Sequence, residues 1–182
     1  MSVSSAAGST EGRAGLDRRR DASLTLRDAT AEDLHLILRF VRALAAYEKL
    51  EHEAVATEED FRRHLFTEPR RAEALIAEWQ GEPVGLALWF YSFSTFLGRP
   101  GLYLEDIFVE PAHRNRGIGK AMFRELARRA IAAGCGRMEW SVLDWNAPSI
   151  AFYRSVGACP RQGWTAQRLT GEALAALAAQ EG

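Results

Sequence analysis

Leu104-Glu105-Asp106-Ile107-Phe108-Val109-Glu110-Pro111-Ala112-His113-Arg114-Asn115-Arg116-Gly117-Ile118-Gly119-Lys120 is an apolar run broken by two adjacent acids, then a proline turn, then two glycines among three cationic side chains. Leu102 to Val109 reads as a strand and Pro111 to Arg116 as a turn. From about Gly117 to Ala133 the spacing predicts a helix, with Ile118, Met122, Leu126 and Ala130 inward and Gly134 at its C-cap. Strand, glycine turn and helix in this order leave unpaired amides and the positive end of a helix dipole at residues 117–120. Glycine lets a ligand approach the backbone closely, and Arg114, Arg116 and Lys120 add charge. A phosphate or pyrophosphate suits such a turn. It is not a Walker loop, because Gly119-Lys120 leads into Ala121 and not Ser or Thr, and no GxGxxG is present.

Elements on both sides of this stretch set the fold class. Ser23 to Arg27 alternates like a strand. Thr30 then precedes a helix with Leu34, Ile37, Leu38, Val41, Leu44 and Ala45 on one face, ending near Tyr47 to Leu50. A second helix follows Thr57, with Glu58, Glu59 and Asp60 in its first turn. Ala74 to Trp79 and Val84 to Tyr91 flank the turn Gln80-Gly81-Glu82-Pro83 as an antiparallel hairpin. Ser92 to Pro100 reads as a loop carrying Phe93, Phe96 and Leu97. After the long helix come a strand over Arg137 to Leu143, a short helix over Pro148 to Ser155 closed by Gly157, a strand over Trp164 to Leu169, and an Ala/Leu-rich helix. The expectation is an α/β (α+β) fold, a mixed sheet covered by helices on both faces.

The chain has 182 residues, too few for two full α/β domains. One domain over 23–182 is expected behind a polar, disordered tail over 1–22. With 47% hydrophobic and 26% charged residues, the composition is that of a soluble globular protein. A net charge of −1 argues against broad nucleic-acid binding. No stretch reaches the ~20 apolar residues of a membrane span. Cys135 and Cys159 form no CxxC pair and the four histidines are scattered, so no metal is expected. The cytoplasm is the expected location.

The strand, the acid pair and Arg114-x-x-Gly117-x-Gly119 together resemble the coenzyme A motif of the GNAT N-acetyltransferases. Asp144-Trp145-Asn146-Ala147-Pro148-Ser149-Ile150-Ala151-Phe152-Tyr153 is similar to the second motif of that family. With Ala46-Tyr47-Glu48 and Gly163-Trp164, the wording is close to the branch that acetylates diamines, polyamines and thialysine. The resemblance spans about Leu24 to Leu169. It implies a mostly antiparallel sheet splayed at its centre, acetyl-CoA as co-substrate, direct attack in a ternary complex and a homodimer. It also implies that Ile107, Phe108 and Val109 pair with the pantetheine arm, that residues 114–120 (Arg114, Asn115, Arg116, Gly117, Ile118, Gly119 and Lys120) take the pyrophosphate, and that Asn146 faces the coenzyme.

Acetyl transfer needs a neutral amine, a polarised thioester and a proton for the departing thiolate. Tyr153 fits the general acid, because a phenol of pKa ~10 stays protonated at neutral pH yet can donate to a thiolate. Glu105 fits the base, because a carboxylate within an apolar strand is costly to bury without a purpose. Strand alternation points Asp106 to the opposite face as a structural partner, unless a bulge intervenes. Tyr47 and Glu48 match the branch's acceptor residues, and Phe96 falls near an aromatic acceptor wall. Arg161-Gln162 stand where the polyamine enzymes carry acids, which favours a short diamine or a lysine-like amino acid over a long polycation. A peptide acceptor, or an acyl-CoA sensor without turnover, are the other readings.

Overall fold

Five strands pair in one sheet in the order β1-β2-β3-β4-β5, in a computed structural model that describes residues 24–180. The expected tail over 1–22 lies outside the described residues. The chain divides into two compact units, Met1–Ser141 and Val142–Gly182. In the first, β1 (Leu24–Asp28), α1 (Leu34–Glu48), α2 (Glu58–Leu65), β2 (Glu73–Trp79), β3 (Glu82–Ser94), β4 (Arg99–Val109), α3 (Ile118–Ala132) and β5 (Met138–Trp140) follow in order. All strand pairs are antiparallel except β4–β5, which is parallel.

Ala74 to Ala77 and Val84 to Trp89 are buried without alternation, as strands covered on both faces must be. On one face, Ile76, Leu86, Leu88 and Phe108 pack with Ile37 and Phe40 of α1 and Leu65 of α2. Phe40 lies deeper than Leu38, so the buried stripe of α1 runs Leu34, Ile37, Phe40. On the other face α3 buries Ile118, Met122, Leu126 and Ala130 as expected, with Ala121 and Phe123 beside them. Gly85 is required here: a Cβ would meet the Phe108 carbonyl oxygen at 2.8 Å and would face the Met122 sulfur at 3.6 Å. Thr57 caps α2 in a reciprocal capping box with Asp60.

Three expectations change. The stretch Ser92 to Pro100 is mostly strand: Phe93 still pairs with Pro100 and Ser94 with Arg99. Its polar groups are satisfied there, since Ser92 Oγ donates to the Gly101 carbonyl and Arg137 Nη1 donates to Ser94 Oγ. β5 is only Met138–Trp140, because its ladder with β4 ends at Leu104↔Trp140. Trp164 to Leu169 forms no strand: residues 159–180 are all exposed, and a segment without a partner edge makes no ladder. The second unit holds α4 (Ala147–Ser155) and α5 (Gly171–Ala178).

One ion network ties β1 to β2 and to the turn that precedes α1. Arg27 grips Asp33 through both terminal nitrogens at 2.8 Å and donates from Nε to Glu78 at 2.7 Å. Asp33 also accepts from Thr30 N at 2.8 Å. The Arg27 guanidinium holds the Asp33 carboxyl down at about 2, against the cost of its burial. A depressed carboxyl stabilises the fold above its unfolded pKa near 4 and loses that contribution as pH falls through 2. Asp33→Asn should therefore cost about 2 kcal/mol in urea unfolding at pH 7, and the gap to the parent should close between pH 4 and pH 2.

Candidate active site

β3 and β4 slip register between Leu88 and Trp89: Leu88 faces Asp106, yet Trp89 faces Leu104. Glu105 is thus the extra residue of a β-bulge, and alternation along β4 reverses across it. Below the bulge Asp106 and Phe108 share the α1 face with Leu88 and Leu86. Above it Tyr103 takes that face, its ring 5.1 Å from Phe90. At the same point β5 parts from β4. Among the described residues, no strand pairs with β4 beyond Leu104 on the β5 side, so Glu105 to Val109 present an open edge. Where the two strands part, the Tyr103 and Ser141 hydroxyls hydrogen-bond at 3.0 Å.

Burial reverses the expected ranking of the two acids. Glu105 is exposed, so the cost of burial is no argument for its role, whereas Asp106 is half-buried. Burial first, then the nearby Glu105 and Glu48 carboxylates, push the Asp106 carboxyl up to about 6. Glu48, at the end of α1, is itself raised by burial. The fold therefore places Glu48 and Glu105 within electrostatic range of Asp106, and such a cluster attracts a cation. Among the described residues, no set of three His, Cys, Asp or Glu side chains is placed to hold a metal ion.

The predicted anion turn follows the open edge. Asn115 and Gly117 take positive φ, 62° and 84°, and α3 begins at Ile118 with its first amides lacking intrahelical partners. A Cβ on Gly117 or Gly119 would meet nothing within 4 Å, so the space over both is open to a ligand. Arg116 lies over the Trp79 ring at 5.5 Å. Arg114 donates from Nε to the Val109 carbonyl at 3.0 Å and stacks on Tyr47 at 4.7 Å. Open strand edge, open glycines and cationic side chains fit an extended ligand ending in a pyrophosphate.

Ile107, Phe108, Val109, residues 114–120, Tyr47, Glu48 and Glu105 all lie in the first unit. Phe96 sits at the tip of the β3–β4 hairpin, 91% exposed. Ser94 lies six residue steps along β3 from Leu88, about 20 Å at the strand rise, so the chain does not bring Phe96 to its own acid cluster. In the second unit Asn146 Oδ1 accepts from Ser149 N at 3.3 Å and caps α4. Tyr153 lies on α4, its ring 5.6 Å from that of Phe152. Gln162 is exposed, next to Arg161, whose guanidinium stacks on Trp164 at 4.1 Å. The register slip that repositions Asp106, and the Arg114–Tyr47 contact, carry no signal in local sequence; both arise from pairing across the fold.

The sequence pattern of the acetyltransferase (GNAT) family matches residues 38–158. Thialysine N-epsilon-acetyltransferase of Sus scrofa is 38% identical over 168 residues, 86% of this chain and 98% of its own. L-ornithine N5-acetyltransferase of Arabidopsis thaliana is 42% identical over 93 residues, 51% of this chain and 41% of its own. A solved integron cassette protein of V. cholerae superposes with a TM-score of 0.72 at 26% identity, over 87% of this chain and 99% of that one.

A carboxyl raised above its unfolded value opposes folding once it ionises. For Asp106 the penalty is present above about pH 6 and gone below about pH 4, where both states are protonated. Asp106→Asn should therefore stabilise the protein by about 2–3 kcal/mol at pH 8, with no gain at pH 3.5, in urea titrations run at both values.

Proposed function

The chain belongs to the acetyltransferase (GNAT) family and is an N-acetyltransferase, and we propose that it moves an acetyl group from acetyl-CoA to the terminal amine of a small cationic molecule, a lysine-like amino acid or a short diamine. The observation that carries this reading is the acid cluster Glu48, Glu105 and Asp106 beside the open edge of β4. An amine-seeking site and a thioester-holding edge then adjoin on one strand. The thialysine and ornithine enzymes to which the chain is similar are named for acceptors of this kind. The family model crosses the boundary between the two units, which supports reading 23–182 as one acetyltransferase domain.

In this reading Ile107, Phe108 and Val109 hold the pantetheine arm as an added strand, and an amide near Phe108 polarises the thioester carbonyl. Residues 114–120 hold the pyrophosphate, and Asn146 adjoins the coenzyme. Tyr47 and Glu48 hold the cationic end of the acceptor, with Gln162 at the second recognition group. The amine must arrive neutral. Glu105 and Asp106 take its proton as a pair, the raised Asp106 carboxyl being matched to a base that works near neutrality. The amine nitrogen bonds to the carbonyl carbon, the carbon–sulfur bond breaks, and the Tyr153 hydroxyl gives its proton to the leaving thiolate. The exposed Phe93, Phe96 and Leu97 support a homodimer that covers them. No described helix is long and apolar enough to cross a membrane. Two free thiols support a cytoplasmic location.

Thiol release from acetyl-CoA with thialysine, lysine, putrescine, spermidine and a basic peptide tests the reading. Turnover should be fastest with thialysine, lysine or putrescine; a preference for the peptide or for spermidine would refute the acceptor class. Glu48→Gln should cost about ten-fold in kcat/KM for acceptors with a distal charge, or ~1.4 kcal/mol, and little for a monoamine. Tyr153→Phe should lower kcat by about 10²–10⁴-fold with coenzyme affinity kept.

A further inference from the structure

Arg114 belongs to the glycine turn in sequence, and its side chain lies against Tyr47 at the end of α1. Its guanidinium lies 4.7 Å from the centre of the Tyr47 ring and 5.9 Å from that of Phe108, and its Nε donates to the Val109 carbonyl at 3.0 Å. Tyr47 is the penultimate residue of α1, and the cluster acid Glu48 follows it. The Lys49 backbone then turns left-handed, at φ 62°, to end the helix. A single side chain thus joins the last turn of the acceptor helix, the end of the open strand and the turn that precedes α3.

We propose that the stack of Arg114 on Tyr47 couples the two substrate sites, so that Tyr47 positions Arg114 for the coenzyme and Arg114 positions Tyr47 and Glu48 for the acceptor. This rests on the acetyl-CoA reading of the turn. An arginine side chain is costly to order when it binds an anion, and the Tyr47 face with the Val109 carbonyl orders it beforehand. Nε is committed to the carbonyl, which leaves the two terminal nitrogens of the guanidinium to serve the anion. Because the same contact fixes the helix end, binding on either side favours the other by the same factor. Tyr47 therefore acts as a positioning residue for the coenzyme, although it lies outside the phosphate turn.

Calorimetric titration of the full chain with coenzyme A tests the link. Tyr47→Leu, which removes the aromatic face, should weaken coenzyme A about five- to ten-fold. Tyr47→Phe, which keeps the face, should stay within about two-fold of the parent. Arg114→Lys should weaken binding too, and in the double variant Tyr47→Leu should add nothing further. A second readout does not depend on Tyr47→Leu folding: at saturating acetyl-CoA, Arg114→Lys should raise the KM for lysine or thialysine, which an arginine serving phosphate alone would not do. Parental coenzyme affinity in Tyr47→Leu, additive losses in the double variant, or an unmoved acceptor KM in Arg114→Lys would each overturn the coupling. A parent chain that fails to bind coenzyme A would overturn the proposed function itself, before any substitution is compared.

Discussion

Where β3 and β4 slip by one residue, at Leu88 and Trp89 against Leu104 and Asp106, three properties of the site originate together. The slip makes Glu105 a bulge, turns Asp106 toward the face that α1 covers, and coincides with the last rung of the β4–β5 ladder. A regular β4 would send its two acids to opposite faces. The bulged strand instead has one acid in water and one half-buried beside it, next to a stretch of backbone with an unused edge. The remaining architecture holds this point still. α1 and α2 pack one face, α3 packs the other, and Gly85 keeps β3 close to the Phe108 carbonyl.

Two aspartates of this chain show how the same group serves opposite ends. Asp33 is almost fully enclosed, yet the fork of Arg27 and the Thr30 amide hold its carboxyl low, so its charge supports the fold. Asp106 is half-buried with the Glu105 and Glu48 carboxylates in range, and its carboxyl rises to about 6. The first arrangement is stable without a ligand. The second is unfavourable on its own, and it is this property that the proposed reading uses to receive an amine and its proton.

The far end of the β3–β4 hairpin and the segment over 159–180 leave large apolar side chains in water: Phe93, Phe96 and Leu97 in one, and Trp164, Leu169, Leu174 and Leu177 in the other. An eight-residue helix such as Gly171–Ala178 gains little from its own hydrogen bonds, because helix nucleation is costly over so short a length. Its order depends on what its apolar side chains meet.

Much of this protein is legible in its residues alone, because the signals are local. Thr57 with Asp60 starts a helix, Gln80-Gly81 turns a hairpin, and Gly117 and Gly134 sit at the ends of α3, where positive φ is required. The anion turn is likewise a property of seventeen consecutive residues. Tertiary structure decided what depends on partners. Pairing with β3 set the register that made Glu105 a bulge and Asp106 the half-buried acid, against the plain alternation of β4. Packing of α1 against the sheet brought Tyr47 under Arg114, 67 residues away in sequence and 4.7 Å away in space. Trp164 to Leu169 reads as a strand and forms none, because a strand exists only where an edge accepts its hydrogen bonds.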